Sequence, residues 1–207
     1  MSGLQLPGLR LVLASASPAR ARLLRQVDLA FEVRPAAIDE DLVREGLRAD
    51  GVDGAEAAVA LASLKGERVA LAAATDELVI AADQLLETAE GVWPDKPSSR
   101  TDLKRQLTLL SGKVHRLHTA VALYRGGARV WHHVTSPIVR LRPLSPEFVE
   151  RYVAAAGDDL LGCIGGYQIE ALGPHVVLDV RGDAFAVQGL PLLALVDQLR
   201  VQGVLAA

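Results

Sequence analysis

"LVLASASPARARLL", residues 11–24, begins as a buried strand and ends as a helix, and that change of period sets the fold class. Leu11, Val12 and Leu13 form an apolar run without polar alternation, as in a strand covered on both faces. Ser17 suits a helix N-cap and Pro18 the first helical position. A strand that turns directly into a helix is the repeating step of an α/β protein. The same turn carries an anomaly. Ser145-Pro146 makes the same cap later in the chain and is followed by Glu147, an acid that suits the positive end of a helix. The first helix instead places Arg20 in its opening turn, where the macrodipole disfavours a cation by about 0.3–1 kcal/mol. Two readings stand at this point: a plain cap, or an anion held by Ser15, Ser17, the free N–H groups and Arg20.

Working outward, the first strand runs from Leu9 to Ser15 and the helix from Pro18 to about Val27. "LAFEVRPAAIDEDLV" (29–43) reads as a strand that leaves through Pro35 into an acidic loop. From Ala55 to Ala74 apolar residues recur at helical spacing, interrupted by Gly66 at a cost of about 1 kcal/mol. Leu78 to Glu87, "LVIAADQLLE", is a second buried strand, and "ETAEGVWPDKP" is a turn and loop. "SSRTDLKRQLTLLSG" is a helix with Leu103, Leu107 and Leu110 on one face and Gly112 as its stop. "HRLHTAVALY" and "ARVWHHVTSPIVRLRPL" pair as a hairpin across Arg125-Gly126-Gly127. Ser145-Pro146 opens another helix, and a glycine-rich connection leads through "HVVLDVRGDAFAVQG" to a last helix, "LPLLALVDQLRVQ". The expectation is one α/β domain over residues 1–207, a mixed sheet flanked by helices.

Composition narrows the function classes. Half of the residues are apolar and 23% are charged, so the chain can bury a core. Aromatics are 4% and the net charge is -3, which argues against stacking platforms and a global basic footprint for nucleic acid. Cys163 is the only cysteine, so an intrachain disulfide and a cysteine-rich zinc site are excluded. The opening "MSGLQLPGLR" does not read as a signal peptide, and no apolar run approaches the roughly 20 residues of a membrane span. The chain reads as cytoplasmic.

Asp83 is the second anomaly. It is surrounded by Leu78–Ala82 and by Leu85 and Leu86, where an unpaired carboxylate costs several kcal/mol. It belongs at a strand end facing a cation or metal, or else on an edge strand facing water. Charges in "IDED" (38–41) and "DKP" (95–97) are ordinary for solvated loops, and Lys65 alone is ordinary for an exposed helix position. His115 and His118 are three apart on a strand and point to opposite faces, as do the neighbours His132 and His133, which argues against zinc.

In order and spacing, "LASASPAR", "IDE", the Lys65 helix, "AADQLL", "DKP", "LSGKVHRLHTAVAL", "GGYQIEALG" and "GLPLLALVDQLR" resemble the Maf family of nucleoside triphosphate pyrophosphatases, from about Leu11 to Arg200. The resemblance implies an inosine triphosphate pyrophosphatase-like fold: an elongated twisted mixed sheet with two lobes around a cleft, commonly a homodimer. It also implies cleavage between the α and β phosphates with a divalent cation, Mg²⁺ or Mn²⁺. Position by position, it makes Asp83 the catalytic carboxylate and Glu40 a second acid, the two holding the metal, or Asp83 instead accepting a proton from the attacking water. Lys65, Lys96 and Arg20 become the cations on the phosphates, with Ser15 and Ser17 in the phosphate loop. Electrostatic stabilisation dominates such reactions, so this residue set suits the chemistry.

Two departures stand out. The family's paired arginines are Ala19-Arg20 here, with Arg22 some 200° around the helix from Arg20, and Asp95 replaces a glycine before Lys96. These bear on rate more than on reaction class. For the base, "ADQ" with Gln84, and Glu170 in "YQIE", resemble the branch acting on 7-methyl-GTP. A carboxylate can accept hydrogen bonds from the N1–H and amine of guanine, or merely pair with a nearby arginine. Trp93 can stack on a cationic methylated ring or pack inside its loop. The alternatives are a dTTP/UTP pyrophosphatase of the same family, an inosine-type purine triphosphatase, and a non-catalytic regulator of septum formation.

Overall fold

The computed structural model describes residues 3–206, so the signal-peptide reading extends to Met1 and Ser2 outside the described residues. The chain divides into two compact units, each of which is described in turn. The first comprises the residues up to Gln84, Thr119–Thr135, and those from Gly189 onward; the second comprises Leu85–His118 and Ser136–Gln188.

In the first unit β1 (Arg10–Leu13), α1 (Pro18–Gln26) and β2 (Phe31–Val33) form the expected strand–helix–strand step, with β1 parallel to β2. β1 is also parallel to β3 (Glu77–Thr88), with Leu11 opposite Leu78 and Leu13 opposite Ile80. β3 is buried along nearly its whole length, which is why its sequence shows an unbroken apolar run instead of alternation. β4 (Val114–Arg125) and β5 (Ala128–Thr135) form the antiparallel hairpin. α2 (Glu40–Ala49), α3 (Gly54–Ala70) and α7 (Leu192–Val201) complete the unit.

α2 (Glu40–Ala49) corrects the expected acidic loop. Asp39 caps it, accepting the N–H of Leu42 at 3.1 Å, and Glu40 and Asp41 occupy its first turn, where acids are favoured. Leu42, Val43 and Leu47 recur at helical spacing in α2, but the run is short and they stay exposed or half-buried, Arg44 being the only buried residue of the helix.

One core cluster of this unit is built from small aliphatics, among them Val12, Ala14, Val69, Val79, Ala81 and Ala122, around Tyr124. Gly66 is explained by that packing. A Cβ there would lie 2.3 Å from the Tyr124 ring, so the helix accepts the propensity cost to admit the ring. The Tyr124 hydroxyl donates to the carbonyl of Ser63 at 3.1 Å, fixing the same face of α3.

The second unit contains the far ends of β3 and β4, then α4 (Arg100–Leu110), β6 (Ile138–Leu141), α5 (Pro146–Ala156), β7 (Val177–Arg181) and the short α6 (Ala184–Val187). β6 is antiparallel to both β4 and β7. The long second arm expected for the hairpin is therefore two strands, broken at Ser136-Pro137, where proline has no N–H to donate. Leu103, Leu107 and Leu110 enter the core with Leu86, Leu117, Val139, Val153 and Tyr167, on the face of α4 that the spacing predicts. Counted together, the strands form a seven-stranded mixed sheet flanked by helices. No helix among the described residues is long and apolar enough to cross a membrane.

Candidate active site

The turn after β1 is built by hydroxyls. Ser17 caps α1 by accepting the N–H of Arg20 at 3.4 Å, and Ser15 Oγ accepts the N–H of Ser17 at 3.2 Å. The Arg20 side chain folds back over this turn and is only 9% exposed. Its Nη1 donates to Ser15 Oγ at 3.0 Å and its Nε to the carbonyl of Gly189 at 2.8 Å. Burial lowers the Arg20 pKa below its ordinary value, while the charges of Asp83 and Glu40 oppose that shift. The guanidinium thus lies in the field of both carboxylates.

Asp83 is paired with a cation, as its apolar surroundings require. Lys65 Nζ, on α3, lies 2.5 Å from Asp83 Oδ1 on β3 and 2.9 Å from Glu40 on α2. Lys65 and Asp83 are 5% and 4% exposed, so Lys65 is not the solvent-facing helix position its type suggests. Two buried charges are tolerated because each is matched within hydrogen-bond reach. Glu40 reaches the pair because it opens α2, so the overlooked helix is the element that delivers it. In the first unit the structure therefore gathers Ser15, Ser17, Arg20, Glu40, Lys65 and Asp83.

Gln84 follows Asp83 along β3, where successive side chains alternate in direction, and its Nε2 donates to Thr119 Oγ1 at 3.0 Å. Lys96 and Glu170 belong to the second unit, and the charges of both act on Cys163 there. Burial pushes the Cys163 thiol up to about 11; Glu170 adds to that rise and Lys96 opposes it. Trp93 is 6% exposed and donates from Nε1 to Glu87 at 3.4 Å, which favours packing over stacking on a base.

Two features escaped the sequence reading. The carbonyl of Gly189 holds Arg20, and a backbone acceptor leaves no mark in residue type. His118 bonds through Nδ1 to Ser136 Oγ at 2.8 Å and through Nε2 to Glu87 at 3.0 Å, while His115 Nε2 bonds to the Tyr167 hydroxyl at 2.7 Å. Both histidines are thereby engaged with protein groups. Among the described residues no three His, Cys, Asp or Glu side chains gather as a metal cluster.

The chain has close relatives among known proteins. It is 42% identical over 192 residues to a nucleoside triphosphate pyrophosphatase of Granulibacter bethesdensis, covering 93% of this chain and 96% of that one. It is 41% identical over 197 residues to a 7-methyl-GTP pyrophosphatase of Rhizobium meliloti, covering 95% and 98%. A solved HAM1 protein from Coxiella burnetii aligns with 93% of this chain and 99% of its own at a TM-score of 0.47 and 18% identity. The family model described as Maf-like protein matches residues 10–202, and with relatives at this identity over nearly its whole length the chain belongs to the Maf family.

Proposed function

We propose that the chain is a nucleoside triphosphate pyrophosphatase, cleaving between the α and β phosphates to release nucleoside monophosphate and pyrophosphate. The observation that carries this reading is the buried Lys65 ammonium between Asp83 at 2.5 Å and Glu40 at 2.9 Å, with the Arg20 guanidinium in the field of both acids. The names of its Maf relatives support the same reaction class.

Hydrolysis of the anhydride needs a water molecule oriented and deprotonated, and negative charge accommodated on the phosphates. In this reading Asp83 accepts the proton of the water, and Lys65 holds that carboxylate in one orientation. Arg20 is fixed at Nε and Nη1, so it presents the remainder of its fork to phosphate oxygens without first ordering a long side chain. Fixed cations of this kind stabilise developing charge with little reorganisation.

The donor set fits a hard divalent ion. Asp83 and Glu40 already converge on one ammonium, and Mg²⁺ is commonly bound by one or two carboxylates completed by substrate phosphate and water. Asp83 and Glu40 are thus the residues that would hold Mg²⁺ or Mn²⁺, the ion resting on Glu40 alone where Asp83 serves as the proton acceptor. When bound, the ion supplies charge neutralisation on the polyphosphate.

In the second unit we assign Lys96 to phosphate and Glu170 to the base. Glu170 and Gln84 favour a guanine-type nucleotide, with 7-methyl-GTP as the leading candidate, because a carboxylate accepts from guanine N1–H and its amine. The test is pyrophosphate release with Mg²⁺ over GTP, 7-methyl-GTP, dTTP, UTP, ITP and XTP. Equal yields of monophosphate and pyrophosphate, fastest with 7-methyl-GTP, are expected. Fastest release from dTTP or UTP reassigns the base, and fastest release from ITP or XTP supports the purine triphosphatase reading. Binding without release from any of them removes the enzymatic reading in favour of a regulator.

A further inference from the structure

Gln106 is an amide on the apolar face of α4, in the same helix as the core residues Leu103, Leu107 and Leu110. It is 6% exposed. A buried amide is costly unless its donors and acceptor are matched, so its partners explain its presence. Nε2 donates to the carbonyl of Asp95 at 2.8 Å, and Oε1 accepts the N–H of Gly165 at 2.6 Å. Asp95 immediately precedes Lys96, while Gly165 opens the "GGYQIE" turn that ends at Glu170. The N–H of Gly162 adds a second tie between the same two segments, donating to the carbonyl of Pro97 at 2.9 Å.

The turn itself is shaped to lie on α4. Gly165 and Gly166 have φ of +84° and +72°, and a Cβ on Gly166 would come 2.5 Å from Leu103 Cδ1. Only glycine permits both the left-handed backbone and this close approach. Glycine also makes the turn pliant, so a specific tie is needed to hold it in one conformation.

We infer that Gln106 is a positioning residue for nucleotide recognition, fastening the Lys96 loop to the Glu170 turn through the two ends of one buried amide. This inference rests on the nucleotide reading above and deepens it by assigning the set-up of the second unit's binding loops to a single side chain. Gln106 acts through backbone groups and is not itself assigned to substrate. Loosening it moves Lys96 and Glu170 and leaves Asp83, Lys65 and Glu40 in place, so binding suffers more than turnover.

Cys163 gives a readout independent of activity, because it lies two residues before Gly165 in the tied segment, its thiol bonds to the carbonyl of Tyr167 at 3.2 Å, and it senses the charges of both Lys96 and Glu170. The full-length Gln106→Met and Gln106→Glu variants test the inference. Methionine keeps the length and loses both bonds; glutamate keeps the acceptor for Gly165 and loses the donor to Asp95, and it remains informative if the methionine variant fails to fold. In a variant that melts cooperatively, 5,5'-dithiobis(2-nitrobenzoic acid) should modify Cys163 about tenfold faster than in the parent protein. KM for the best nucleotide should rise about tenfold, with kcat within about threefold. A thiol rate equal to that of the parent in a folded variant overturns the inference, as does a faster thiol with unchanged KM. If the parent protein releases no pyrophosphate, the proposed function falls, and the thiol rate alone decides whether Gln106 fixes the loops.

Discussion

Lys65 Nζ lies 2.5 Å from Asp83 Oδ1, a buried cation and a buried anion brought together from a helix and a strand 18 residues apart in sequence. The same ammonium is 2.9 Å from Glu40, so the cation does not depend on a single partner. Asp83→Asn should therefore leave the fold standing, since Lys65 keeps Glu40, while kcat falls about 10²–10⁴-fold through loss of the proton acceptor. Steady-state pyrophosphate release with a parallel thermal melt checks this. Near-parental kcat in the variant removes Asp83 from the chemistry.

Arg20→Ala removes the donors to Ser15 and Gly189 together with the charge. KM should rise at least about tenfold, more than kcat falls, because a phosphate contact made in ground state and transition state alike is lost. Arg20→Lys should recover little, since an ammonium cannot reproduce the fork that reaches both partners. An unchanged KM in Arg20→Ala sinks the phosphate role.

Gly66→Ala sets two effects against each other. Alanine favours the helix by about 1 kcal/mol, but its Cβ would meet the Tyr124 ring at 2.3 Å, and overpacking costs about 1–3 kcal/mol. Net destabilisation is expected in urea unfolding. The smaller ring-free side chain of Tyr124→Leu should relieve part of it, giving a double variant more stable than the sum of the two single effects. A stabilising Gly66→Ala contradicts the close approach.

Stability should fall on mild acidification. Burial pushes His115 down to about 4, so it stays neutral in the fold while the unfolded chain gains a proton below about pH 6.5. Between those values the unfolded state binds more protons, and the contribution declines as pH drops, at most about 1.4 kcal/mol per pH unit. Glu77 adds to the loss at lower pH. Hydrogen bonds from Arg34 and the N–H of Ala74 hold its carboxyl below the ordinary range, so its stabilisation is present above that range and disappears as pH falls through it. In melting temperatures measured from pH 7 to pH 3, His115→Phe should flatten the upper part of the slope and Glu77→Gln the lower part.

Where a local pattern carried the information, the sequence was enough to read the structure. The turn at Ser17-Pro18, the buried run of β3 and the leucine face of α4 all follow from period, capping and apolar spacing. α2 was hidden because its short apolar pattern, Leu42, Val43 and Leu47, lies in an acidic stretch that also suits a loop, although Asp39 and the acids after it form a legible start signal. At the site, the oddities of Asp83 and Arg20 were visible as charges in the wrong surroundings. The pairing of Asp83 with Lys65 was not, because an ion pair between a helix and a strand has no spacing rule. Lys65 entered only through the family resemblance. The carbonyl of Gly189 and the amide of Gln106 were invisible, since a backbone acceptor has no residue type and a buried glutamine looks like any polar helix position.

The placement of the two tryptophans has a practical consequence. Trp93 is enclosed in the second unit, whereas Trp131 is half-buried on β5 of the first, stacked on His133 with centroids 6.0 Å apart. Each unit thus contains its own intrinsic fluorophore, one shielded from water and one close to it. Replacing either indole with phenylalanine leaves a single tryptophan, so denaturation can be followed separately by the colour of indole emission in each half of the molecule. Coincident midpoints would mean that the halves melt as one cooperative system.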